Sequence, residues 1–180
     1  GLQHVPAAER PASLLYRIAL SRAHFVLFQN PDDLALFQRR HLLARRTPTA
    51  IIAGSGIDTQ HFARRPVPAD PSFLMISRLL RNKGVREFAA AARMLKEKYP
   101  TVPIRLAGYF DNSSDSIGQA EFAEMIANGV EFLGQIEDVR PSIERASVYV
   151  LPSYREGTPR SSLEAMSVGR AIVTTDAPGC

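Results

Sequence analysis

Two stretches of this chain carry side chains whose types and spacing suit an anionic ligand. The first runs Leu151-Pro152-Ser153-Tyr154-Arg155-Glu156-Gly157-Thr158-Pro159 and continues Arg160-Ser161-Ser162-Leu163-Glu164-Ala165-Met166. Thr158 is placed to cap a helix with Pro159 at its first position, where a missing N–H costs nothing. A helix start presents free N–H groups and a partial positive charge, which suits an anion. Gly157 permits close backbone approach to a ligand. Glu156 in the loop and Glu164 within the helix are placed to accept hydrogen bonds from sugar hydroxyls on either side of a bound phosphate. The second stretch is Ser77-Arg78-Leu79-Leu80-Arg81-Asn82-Lys83-Gly84-Val85. There Arg78 offers a forked guanidinium and Lys83 a point charge, a pair suited to a diphosphate.

Taken singly, each stretch has a plainer reading. The first is a capped helix with two exposed glutamates, and the second is a solvated cationic loop. Their significance depends on the elements that position them. Ser72 to Ser77 (SFLMIS) predicts a buried strand, and Gly84 to Lys98 an Ala-rich helix ending at Pro100. Pro103 to Ala107 is expected as a strand, Ser116 to Ala127 as a helix, Val130 to Leu133 as a strand and Val139 to Ala146 as a helix. Val148 to Leu151 (VYVL) is a nearly continuous apolar strand, Pro159 to Val168 a helix and Ala171 to Thr175 a last strand. Before them, Arg10 to Ala23 reads as a helix, His24 to Phe28 as a strand, Asn30-Pro31 as a helix start and Thr49 to Ala53 as a strand turning at Gly54-Ser55-Gly56. Residues 62–72, with Pro66, Pro68 and Pro71, read as a connector. Apolar strands alternating with helices predict an α/β fold: a Rossmann-like parallel sheet with helices on both faces. Such sheets bind ligands outside the carboxyl ends of their strands. Both stretches immediately follow strands, so both are expected at that edge.

Composition sets the limits. The 180 residues are 45% hydrophobic and 22% charged, enough apolar material for one sizeable core. No run approaches the ~18 apolar residues of a membrane span. Gly1-Leu2-Gln3-His4 lacks the cationic start of a signal peptide. Cys180 is the single cysteine, which excludes an internal disulfide and a cysteine metal cage. Positive charge concentrates early: residues 1–66 hold nine arginines against four acids. No aromatic residues interleave with these arginines as in single-strand nucleic-acid binders, so no nucleic-acid partner is expected. A dinucleotide oxidoreductase needs Gly-x-Gly-x-x-Gly, but Gly54-Ser55-Gly56 lacks the third glycine. The Gly-x-Ser-x-Gly pentad of serine hydrolases is absent.

The combination Ser77-Arg78 with Lys83-Gly84, Phe132-Leu133-Gly134, and Glu156-Gly157-Thr158-Pro159 with Leu163-Glu164-Ala165-Met166 and Gly169 resembles the C-terminal domain of retaining glycosyltransferases of the GT-B fold. The family of that fold numbered four is the best match. Its signature is a pair of glutamates separated by seven residues, here Glu156 and Glu164. The wording around Tyr154-Arg155-Glu156 is similar to bacterial polysaccharide and lipid-linked oligosaccharide enzymes. The resemblance spans about residues 49–180, including Ser55-Gly56-Ile57-Asp58 and Phe62 at the start of that domain. Residues 1–48 resemble the tail of the N-terminal, acceptor-side half.

The resemblance implies roles by position. Arg78 and Lys83 would hold the donor diphosphate and stabilise charge on the leaving nucleotide. Glu156 would contact the donor sugar, Gly157 and Thr158 would offer backbone N–H groups, and Glu164 would bind the ribose. Val130 and Phe132 would lie beside the base. Thr158 stands where the family often has an aromatic or aliphatic residue. No metal and no further cofactor is implied, in keeping with the lack of an Asp-x-Asp pair and the scatter of His4, His24, His41 and His61. Asp111 and Asp115 read as parts of a polar loop. The implied partners are a nucleoside-diphosphate sugar, UDP-linked, and a cell-envelope glycan or lipid-linked acceptor. The implied location is cytoplasmic, with peripheral contact to an anionic membrane through the arginine-rich first third. A GT-B enzyme has two Rossmann-like halves, so the chain reads as a fragment that binds nucleotide weakly and turns nothing over alone. The non-enzymatic alternative is a nucleotide-binding module that keeps the fold without the chemistry.

Overall fold

The computed structural model describes residues 9–180; the reading of residues 1–4 lies outside them. The chain begins with helix α1 (Glu9–Leu20), strand β1 (Val26–Phe28), helix α2 (Pro31–Arg39) and strand β2 (Thr49–Ile51). Asn30 caps α2, and Pro31 follows at the first helical position, as the Asn-Pro pair predicts. Strands β1 and β2 form a separate two-stranded parallel pair, Val26 opposite Thr49. Expected at the head of the second domain, β2 therefore joins neither edge of the larger sheet. It stops at Ile51 because Gly54, in a left-handed conformation, turns the chain and donates its N–H to the Ile52 carbonyl at 2.8 Å.

A connector then leads to strand β3 (Phe73–Ile76), a 3-10 turn (Arg81–Lys83), helix α3 (Val85–Lys98), strand β4 (Ile104–Ala107), helix α4 (Gln119–Ala127) and strand β5 (Glu131–Gly134). Helix α5 (Arg140–Glu144), strand β6 (Val148–Leu151), helix α6 (Arg160–Val168) and strand β7 (Ala171–Thr174) complete it. The five strands run parallel in the order β5-β4-β3-β6-β7. Two expected helices are shorter than their sequence pattern. Ser116 bridges to Leu80 instead of opening α4, and Val139 caps α5 from outside.

The central strands β3 and β6 are apolar because both faces are covered, whereas the edge strand β7 is largely exposed. Leu74 and Met75 of β3, Leu106 of β4 and Tyr149 of β6 are essentially inaccessible, as are Val85 of α3 and Ala165 of α6. Each large apolar side chain so enclosed contributes about 1.5–3 kcal/mol relative to exposure. Val85, Phe88, Ala89 and Ala92 form the single buried stripe of α3, at helical spacing. The connector is fixed by a buried arginine. Arg170, 4% exposed, donates to the carbonyls of Ala146 (3.0 Å), Pro66 (2.9 Å), Val168 (3.0 Å) and Arg65.

The strand order defines where a ligand sits. From β3 the chain winds outward through β4 to β5, then returns to the other side of β3 as β6 and winds outward to β7. The order reverses between β3 and β6, and in sheets of this kind ligands bind at the carboxyl ends of the strands beside such a reversal. The loops leaving these two strands are the two that the sequence singled out.

Candidate functional site

After β3, Leu79 and Leu80 turn into the core, 0% and 3% exposed, and anchor the loop just past Arg78. Arg78 is left at the surface, its side chain 47% exposed, where its guanidinium pairs with Asp111 at 2.7 Å. Beside Arg78, a cavity of about 230 Å³ opens between the carboxyl ends of β3, β4 and β5, lined by Ile76, Gly108, Tyr109, Gln135 and Val139 among others. Asp111 thus has a structural partner, and Asp115 accepts the Asn82 N–H at 3.0 Å.

The loop closes through the 3-10 turn to Gly84, at φ 73°. A Cβ there would overlap the Pro152 carbonyl oxygen. Glycine is therefore required twice, by backbone conformation and by contact. This close approach brings the two candidate loops together: Tyr154 N–H donates to the Asn82 carbonyl at 2.9 Å. It also sets Lys83 Nζ 2.6 Å from Glu156 Oε1, with the two side chains 20% and 11% exposed. The fully buried Ser153 hydroxyl donates to the same oxygen at 2.7 Å. Lys83 and Ser153 together orient the Glu156 carboxylate. Sequence reading misses Ser153; the only signal is its position three residues before Glu156.

Glu164 lies on the second turn of α6, its side chain 12% exposed and bonded to Arg160 Nε at 3.1 Å. Burial raises its pKa above the ordinary carboxylate value, while the bond to Arg160 opposes that. Tyr149 of β6 is buried beneath this edge of the sheet. Its hydroxyl donates to the Ile76 carbonyl at 3.1 Å and shares a 2.6 Å hydrogen bond with Ser161 Oγ. Burial pushes this phenol far above its usual pKa, with smaller contributions in the same direction from Glu164 and Glu156. The buried hydroxyl ties β3 and β6 to the start of α6. Lys83 and Glu156 are in direct contact and Arg78 lines the cavity after β3, but Lys83, Glu156 and Glu164 are not among the residues that line that cavity, and Glu164 is paired on its own helix with Arg160.

Two expectations are corrected. Thr158 does not cap α6. Pro159 occupies that position with no side-chain cap, and the Thr158 hydroxyl donates to the Gln29 carbonyl at 3.3 Å. The β1–α2 corner competes successfully for the hydroxyl and leaves the first-turn N–H groups of α6 without a side-chain acceptor. Val130 and Phe132 do not line the cavity. Val130 precedes β5 at the end remote from the carboxyl edge and is 2% exposed within the core. The Phe132 ring packs edge-on against Phe122, 4.9 Å between centroids. The residues past the carboxyl end of β5, Gln135, Ile136 and Val139, form that wall instead.

Comparison with known proteins follows the same lines. The sequence model of the family "Glycosyl transferases group 1" matches residues 70–180. The N,N'-diacetylbacillosaminyl-diphospho-undecaprenol alpha-1,3-N-acetylgalactosaminyltransferase of Campylobacter jejuni is 33% identical over 180 aligned residues, covering 92% of this chain and 46% of its own length. The chain thus spans about half the length of such relatives. Among solved structures, sucrose-phosphate synthase from Thermosynechococcus elongatus superposes with a TM-score of 0.76 at 23% identity, over 97% of this chain and 47% of that one. Anabaena Alr3699/HepE, solved in complex with UDP and glucose, gives 0.71 at 20% identity, over 99% and 52%.

Proposed function

Because this chain belongs to the group 1 glycosyl transferase family and has the fold of the C-terminal half of a GT-B enzyme, we propose that it is the donor-binding part of a retaining transferase. The donor is a nucleoside-diphosphate sugar, UDP-linked, and the acceptor a cell-envelope glycan or lipid-linked saccharide. The donor side is the five-stranded part of the chain, and the end of the acceptor side extends past the expected boundary at residue 48 to include β2, which pairs with β1. Arg78 and Lys83 bind the diphosphate and stabilise the charge that develops on it as the sugar–phosphate bond breaks. Glu156 holds the sugar and Glu164 the ribose, with backbone N–H groups of Gly157 and Thr158 beside sugar and phosphate. The base occupies the cavity walled by Tyr109, Gln135 and Ile136.

The observation that carries this reading is the junction at the strand-order reversal: Lys83 and Glu156 meet at 2.6 Å where the loops after β3 and β6 converge, while Arg78, at the carboxyl end of the same strand β3, lines a cavity. The relatives support the substrate class, since the Campylobacter protein is named for transfer to an undecaprenol-linked saccharide. No metal takes part. Among the described residues, no helix is long and apolar enough to cross a membrane. Contact with an anionic membrane surface, on the cytoplasmic side, runs through the early arginines, and the chain by itself does not turn over. The direct test is calorimetric titration with UDP, UMP and uridine. Arg78→Ala and Lys83→Ala should each weaken UDP by about tenfold or more and leave uridine unchanged. Equal losses for all three ligands would remove the diphosphate assignment.

A further inference from the structure

The corner between β1 and α2 grips the loop that carries Glu156. Asn30, 6% exposed, accepts the Asp33 N–H on Oδ1 at 2.8 Å, which caps α2. Its Nδ2 faces away from that duty and donates to the Gly157 carbonyl at 2.8 Å and the Glu156 carbonyl at 3.4 Å, as well as to Asp33 Oδ2 at 3.0 Å. Neighbouring residues extend the grip. Arg155 pairs with Asp33, Thr158 donates to the Gln29 carbonyl, and a Cβ on Gly157 would strike the Gln29 side chain. Four successive loop residues, Arg155 to Thr158, are thus held by the corner and the first helical turn of α2.

Capping alone does not explain Asn30. Serine or aspartate at the same position supplies the acceptor that α2 needs. Only an amide also presents N–H donors to the two carbonyls from the same buried side chain. Those carbonyls belong to Glu156 and the next residue, so the amide fixes the main chain from which the Glu156 carboxylate projects toward Lys83 and Ser153. Glu156 N–H is held on its other flank by the Pro178 carbonyl at 2.9 Å.

We infer that Asn30 is a positioning residue for the donor sugar: from outside the five-stranded sheet, it sets the place of Glu156 in the donor pocket. It touches no substrate and acts through the carboxylate. The inference rests on the reading of Glu156 as the sugar contact. It links the β1–α2 segment to donor selection, so the preceding part of the fold participates in sugar binding as well as acceptor binding.

The test measures, by calorimetry on this chain, the affinity of UDP and of four UDP-sugars (glucose, galactose and their N-acetylated 2-amino forms). It takes the ratio between the best sugar nucleotide and UDP. Asn30→Asp keeps the cap and turns an acceptor toward two carbonyls, and Asn30→Ser keeps the cap with no amide. Both should reduce the ratio by about 3–10-fold, as Glu156→Gln does, while UDP affinity stays within about twofold. Arg170→Met, which loosens the fold elsewhere, should retain the ratio at temperatures where it is folded. If Glu156→Gln loses the ratio and both Asn30 variants keep it, the inference is overturned and the donor-site assignment stands. Loss of the ratio in Arg170→Met as well would assign the Asn30 effect to general loosening and overturn it too. A wild-type chain with no ratio, or a Glu156→Gln variant that keeps it, would remove the role of Glu156 itself and the inference with it. If Asn30→Asp does not fold, Asn30→Ser decides the matter by the same criteria.

Discussion

Replacing Asp111 by asparagine should tighten UDP binding. In the ligand-free chain, Arg78 is engaged by Asp111 at 2.7 Å, with side chains 47% and 24% exposed. An ion pair so open to water is worth only about 0.2–1 kcal/mol, so a diphosphate can displace it. Asparagine keeps the size of the side chain but releases most of that pairing energy for the ligand. It also removes a negative charge near a dianion, worth about 0.5–1 kcal/mol at water-like screening. The two contributions together give about 1 kcal/mol, or roughly fivefold in affinity. Calorimetric titration at low and at high salt measures it, and the gain should shrink as salt rises. UMP should benefit less than UDP and uridine not at all. Weaker UDP binding in Asp111→Asn would refute the competition argument and make Asp111 a support that aims Arg78 at the ligand.

Gly84→Ala places a Cβ on the Pro152 carbonyl oxygen at a left-handed backbone position. It should destabilise the chain by about 2–4 kcal/mol, lowering Tm by several degrees in calorimetry, and should part Lys83 from Glu156. Arg170→Met leaves the carbonyls of Ala146, Pro66 and Val168 without their donor. Its cost should be about 3–5 kcal/mol by denaturant unfolding, with UDP affinity of the folded protein unchanged. Glu164 has its folded pKa raised above 4.5, so its neutral form is the one the fold favours. That contribution is present below the unfolded pKa and is lost as pH rises through the folded value. The stability of Glu164→Gln relative to wild type should therefore increase from acid to neutral pH, and a flat difference across that range would contradict the burial argument. Chelators should leave UDP affinity unchanged; a gain of about tenfold on adding magnesium would contradict the metal-free assignment.

The legible and illegible parts of this molecule divide along the range of the interactions. Strands such as SFLMIS and VYVL can be read because parallel strands buried on both faces must be apolar throughout. Leu74, Met75 and Tyr149 are indeed enclosed. Asn30-Pro31 can be read as a helix start because capping acts over three residues. The same side chain's contacts with Glu156 and Gly157 span 126 and 127 residues and leave no local trace. Thr158 misleads for the same reason, since the Gln29 carbonyl that takes its hydroxyl is 129 residues away. Val130 and Phe132 mislead because an apolar run marks a strand without showing which end opens to ligand. The strand order, which puts the two motif loops side by side, emerges only from the pairing of β3 with both β4 and β6. The contact between Lys83 and Glu156 follows from that order and from the close approach at Gly84.

A co-crystal of this chain with a UDP-sugar probes the donor pocket most directly. The diphosphate should lie within about 3.2 Å of both the Arg78 guanidinium and Lys83 Nζ, with Glu164 on the ribose hydroxyls and Glu156 on the sugar. A nucleotide bound elsewhere on the sheet, or at this edge with its phosphates turned away from Arg78 and Lys83, would contradict the account.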